Sequence, residues 1–99
     1  MSRESVEALR ELKARQREDA RELRDRHINL RNEMRDRHRQ VREQMRNAGA
    51  AERAILKAQL DRESEQLNES CARERADMLQ RHERQIAALQ AQFSESGTA

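Results

Sequence analysis

Four side chains in this 99-residue chain have chemistry beyond that of plain carboxylates and guanidiniums: His27, His38, His82 and the single Cys71. The histidines are separated by 11 and then 44 residues. In a helix that repeats every eleven residues, about 3.67 per turn, all three fall on one face. Imidazole and thiolate both bind zinc, which takes four ligands in a structural site. His27 and Cys71 are therefore the candidate metal pair, and a second copy would have to complete the site. Without that copy the composition assigns neither metal nor cofactor. The same placement suits polar seam positions that fix helix register at some cost in stability. It also suits groups that change charge near neutrality and so alter packing.

The arginines are more regular still. Lys13, Arg24, Arg35, Arg46 and Lys57 recur every eleven residues, as do Arg15, Arg26 and Arg37. These columns flank the histidine face on its two sides. Long cationic side chains beside a seam lay their methylenes over it and pair with acids across the interface, and Glu11, Glu22 and Glu33 stand beside them. The alternative is a ladder of cation for nucleic-acid phosphates, with Arg24, Arg26, Arg35, Arg37 and Arg46 as the contacts. Residues 1–46 hold 14 Lys+Arg against 10 Asp+Glu, so the first half is the basic half. Base stacking on single strands is not expected, because Phe93 is the sole aromatic.

No phosphate-binding glycine loop, paired CxxC, HExxH, nucleophile elbow or EF-hand loop occurs. With one cysteine and no aromatic pocket formers, the chain has no means of walling off a dry active site. The expectation is a non-enzymatic protein without a cofactor.

The element that must position these residues is an eleven-residue repeat, clearest where Glu22-Leu23-Arg24-Asp25-Arg26-His27 is followed by Glu33-Met34-Arg35-Asp36-Arg37-His38. Counting by elevens from Leu12 gives Leu23, Met34, Met45, Leu56, Leu67, Met78 and Leu89, all apolar. A second column four residues on holds Gln16, His27, His38, Gly49, Leu60, Cys71, His82 and Phe93, and a third, weaker one holds Leu30 and Val41. Together they form an apolar stripe of the width used for packing on other helices.

Proline is absent and glycine occurs only at Gly49 and Gly97, so little interrupts helix formation. The fold class is all-α: long coiled-coil helices, oligomeric, arranged as an antiparallel hairpin. Helix 1 is expected over 2–46, a turn over 47–50, helix 2 over 51–93, and a disordered tail over 94–99. Asn47 and Gly49 accept the left-handed conformation that ends many helices. In the hairpin, facing residues have numbers that sum to about 98, which sets Leu12 against Ile86, Leu30 against Leu67 and His27 against Cys71. Met34 against Ser64 and Leu23 against Arg75 are poor layers. The alternative is one continuous helix of about 90 residues, since the eleven-residue count passes through Gly49 without a slip.

With 40% charged residues and 34% hydrophobic ones, the composition is that of a coiled coil. No apolar run approaches the roughly 18 residues that span a bilayer, and no secretory signal opens the chain. A cytoplasmic setting follows, and one unpaired cysteine fits it. Ile28, Ile55 and Leu79 lie beside the stripe, which suggests a dimer, for instance two hairpins forming a four-helix bundle.

The runs Asp25-Arg26-His27-Ile28-Asn29-Leu30, Asp36-Arg37-His38-Arg39-Gln40-Val41 and Gln80-Arg81-His82-Glu83-Arg84-Gln85-Ile86 resemble the Arg/His/Glu-rich helical tails of plasmid relaxases and mobilisation proteins. The likeness covers residues 10–46 and 73–90 and is one of composition. No relaxase tyrosine or histidine cluster accompanies it. The resemblance implies an accessory role in DNA mobilisation. Three functions are thus in view: a self-associating scaffold or adaptor that binds another protein, a nucleic-acid-binding accessory protein, and a coiled coil responsive to pH, metal or redox state. No membrane partner is expected.

Overall fold

A computed structural model describes residues 2–98, the side chains of residues 96–98 excepted. It contains two helices, α1 over Arg3–Met45 and α2 over Ala50–Thr98. The described residues contain no strand. The break between the helices excludes the continuous helix of about 90 residues. None of the described helices is long and apolar enough to cross a membrane.

Helix α1 starts at a serine cap. Ser5 N donates to Ser2 Oγ at 3.1 Å while Ser5 Oγ donates to the Ser2 carbonyl at 2.8 Å. The first of these bonds satisfies one of the backbone N–H groups that a helix start leaves open, and the second joins the Val6 N–H on a Ser2 carbonyl that already accepts at 3.1 Å. Glu4 in the first turn and Arg42 in the last have the signs that the helix dipole favours.

The connection differs in geometry from the sequence expectation. No described residue, glycine included, has a positive φ. The end of α1 tightens instead: Arg46, Asn47 and Ala48 donate their N–H groups to the carbonyls of Glu43, Gln44 and Met45 at 3.2, 3.3 and 3.3 Å. These are three-residue bonds of the 3₁₀ type, which satisfy the last carbonyls without a left-handed residue. Gly49 then opens α2, its carbonyl accepting from Arg53 N at 3.0 Å. Arg53 Nε reaches back to the Ala48 carbonyl at 2.9 Å, and Ala48 is buried.

A Cβ added at Gly49 would meet nothing within 4 Å. Gly49→Asp should therefore stabilise the fold by about 0.5–1 kcal/mol, because aspartate caps a helix better than glycine and restricts the unfolded chain. Urea unfolding followed by circular dichroism measures this; a lower midpoint would contradict the geometry.

The chain divides into two compact units, each an antiparallel helix pair. The terminal pair joins residues 2–24 of the first helix region to residues 74–98 of the second. The turn pair is Asp25–Arg73 and contains the connection. Residues 94–98, expected in a disordered tail, belong to α2, and Ala99 lies outside the described residues.

Candidate functional site: polar positions of the helix seams

Every seam position named from the sequence lies off the fully exposed surface. Leu12, His27, His38, Leu60, Cys71 and Met78 are buried, while Leu23, Leu30, Met34, Val41, Met45, Leu56, Leu67, His82, Leu89 and Phe93 are half-buried. Along α1 the line from Leu12 to Met45 advances in steps of three and four residues, the spacing that keeps side chains on one face of a helix. Gln16 and Asp19 lie on that line too, although neither is apolar.

In the terminal pair these two residues organise a polar layer. Gln16 Nε2 donates to the His82 carbonyl at 3.0 Å and to Gln85 Oε1 at 3.1 Å. Asp19 Oδ2 accepts from Arg81 at 2.9 Å and from His82 Nε2 at 2.7 Å. One carboxylate oxygen thus ties two consecutive side chains of α2 to α1. The Arg81 hydrogen bond, then the His82 hydrogen bond, hold the Asp19 carboxyl below its ordinary value near 3.8, against a partial opposing effect of burial. A carboxyl with a depressed native pKa adds stability above its unfolded pKa and loses that contribution as pH falls through the native value. Lowering pH from 5 to 3 should therefore destabilise the wild-type protein more than Asp19→Asn. At neutral pH that substitution should cost about 0.2–1 kcal/mol, the range for a partly exposed ion pair. Parallel acid profiles for the two proteins would refute the assignment.

In the turn pair His38 is 5% exposed, and its Nε2 lies 2.9 Å from Glu63 Oε2. An ionised carboxylate can only accept, so Nε2 carries the proton. His27 and Cys71 are also buried in this pair, at 3% and 2% exposure. His27 is not without a partner. Among the described residues, no group of three or more His, Cys, Asp or Glu side chains could hold a metal ion. No buried side-chain nitrogen or oxygen of the described residues lacks a hydrogen bond.

The hydrogen bonds that cross each seam refine the register. Partner numbers sum to 98 for Gln16 with His82, to 100 for Asp19 with Arg81, and to 101 for Gln16 with Gln85, Asp19 with His82 and His38 with Glu63. The sums exceed the expected 98 by up to three, so a residue's partner lies up to three positions further along α2. Apolar residues alone could not reveal this; the acids three residues past the histidine phase, Asp19 and Glu63, are the signal that could.

The arginine columns are separated by the fold. Arg24, Arg35 and Arg46 are exposed, as are Arg26 and Arg37, but about 160° of helix circumference lies between the two columns at three turns per eleven residues. They cannot form one surface. Arg37 lines a groove of the turn pair with Glu33, Asp36 and Glu63. Arg42 and Lys57 line a different groove of that pair, where Asp61 is the sole carboxylate. Among the described residues, no ion pair joins either column to Glu11, Glu22 or Glu33. No protein-family model, curated protein or solved structure matches this chain.

Proposed function

We propose that the protein is a non-enzymatic scaffold or adaptor whose coiled-coil helix pairs self-associate, as a dimer, and present the assembled surface to a protein partner. The observation that carries this reading is the thinness of the cores. No described side chain is fully buried, whereas Ile28, Ile55 and Leu79 are 48%, 61% and 53% exposed. Each large aliphatic side chain taken out of water contributes about 1.5–3 kcal/mol, so burial against a second copy is the available source of further stability.

Sedimentation equilibrium tests the proposal. The expected result is a mass of twice 11.7 kDa, with helicity that falls on dilution. A fully helical monomer at 100 μM would overturn it. Pull-down with the dimer as bait would then identify the protein partner.

A further inference from the structure

We propose that the turn pair carries a sequence-independent interface for the phosphate backbone of double-stranded nucleic acid, formed by Arg31, Arg35, Arg39, Arg42 and Arg46, with Lys57 across the groove. The proposal goes beyond the scaffold reading and is independent of it.

Single columns of the eleven-residue repeat conceal the row that carries the inference. Stepping along α1 by threes and fours gives positions 10, 13, 17, 21, 24, 28, 31, 35, 39, 42 and 46, of which all but Ile28 are arginine or lysine. Steps of three and four residues return to one helix face. Within the turn pair the row runs from Arg31 to Arg46, the first residue after α1. It places one cation about every 4.5–6 Å along the axis at 1.5 Å per residue. Arg31 is half-buried and the other four are exposed. Arg42 shares its groove with Lys57 of α2.

These cations have no acids of their own. Among the described residues, neither the five arginines nor Lys57 takes part in an ion pair. Three carboxylates of the pair, Glu33, Asp36 and Glu63, line a separate groove with Arg37 as its one cation. The basic groove contains one carboxylate, Asp61. Two acids of α1 stand at neighbouring spacing, Asp36 three residues before Arg39 and Glu43 between Arg39 and Arg46, and among the described residues neither forms an ion pair with them. A helix designed only for surface ion pairing interleaves the two signs at i and i+4; here one flank has been left cationic.

The chemistry of the face selects the occupant. Protein hot spots centre on Trp, Tyr and Arg side chains packed into desolvated pockets; the row supplies exposed arginines with no aromatic residue among them and only Ile28 beside it. A basic helix binds a membrane surface most strongly when an apolar face also enters the headgroup boundary, and this face has none. Single strands are held by stacking on aromatics, and the chain has one, Phe93. A regular line of guanidiniums is suited to a regular line of phosphates, since each fork makes two charge-assisted hydrogen bonds.

Fluorescence anisotropy of the full chain with a labelled 30-base-pair duplex of arbitrary sequence tests the proposal. Five phosphate contacts predict a loss of affinity of roughly 10²- to 10³-fold between 50 and 200 mM NaCl. The triple variant Arg35→Gln, Arg39→Gln, Arg42→Gln should bind at least tenfold more weakly at 50 mM salt, with a shallower salt slope by about three. Arg62→Gln, Arg73→Gln, Arg84→Gln removes equal charge from α2 and should change affinity less than threefold. Circular dichroism establishes that both variants remain helical. Absence of binding at 50 mM salt, or equal weakening by the two triples, would overturn the proposal. So would displacement of the duplex by polyglutamate as effective as by unlabelled duplex at equal charge. Because the measurement reads the duplex and not the mass, it can fail while the dimer stands, or succeed with a monomer.

Discussion

Leu60→Ala is expected to lower the unfolding free energy by about 2–5 kcal/mol, the range for truncating a buried leucine. Leu60 is one of few buried apolar residues in the turn pair, and it lines a groove with His38, Met45 and Lys57. Against a total of about 5–15 kcal/mol for an ordinary domain, the loss would remove a large share of the stability. Urea titration followed at 222 nm should show a lower midpoint with the slope unchanged. The neighbouring Gln59→Ala, at an exposed position, should shift the same quantity by less than about 0.5 kcal/mol. Equal effects at the two sites would mean that α2 does not bury Leu60.

His38→Leu should act in the opposite direction and raise stability by about 1–2 kcal/mol, since leucine gains transfer energy that the imidazole forgoes. Removing one partner of a buried polar pair is normally costly because the other partner is stranded. Here Glu63 is half exposed, so its carboxylate can return to water. The accompanying loss should be in specificity: a polar group at a seam position selects one register and one oligomeric state. Sedimentation velocity of the variant should show a broader distribution beside a higher melting temperature. A lower melting temperature would show that the His38–Glu63 bond contributes net stability.

Much of the helical content is written directly in the chain. The absence of proline and the near absence of glycine leave no stop between Arg3 and Met45, and the eleven-residue spacing places Leu12, Leu23 and Met34 on one face. Asn47 and Gly49 mark the place of the connection. Its backbone geometry is less legible, because a glycine permits a left-handed residue without requiring one, and 3₁₀ bonds from Arg46 to Ala48 serve as well. Register was legible only to within three residues: leucine and methionine are tolerant of sliding, whereas the hydrogen bonds of Asp19 and Glu63 are not. The basic flank escapes a count by elevens because Arg31, Arg35 and Arg39 belong to three different columns that adjoin on the helix surface.

Cys71 is 2% exposed and is the only thiol in the chain. A thiolate reacts only when reagent can reach it, so alkylation of this residue must await an opening of the seam. With reclosing fast, the labelling rate equals the intrinsic thiol rate multiplied by the open fraction. The buried sulfur is thus a single-site clock on the breathing of the turn pair, read by mass spectrometry in the native protein without denaturant.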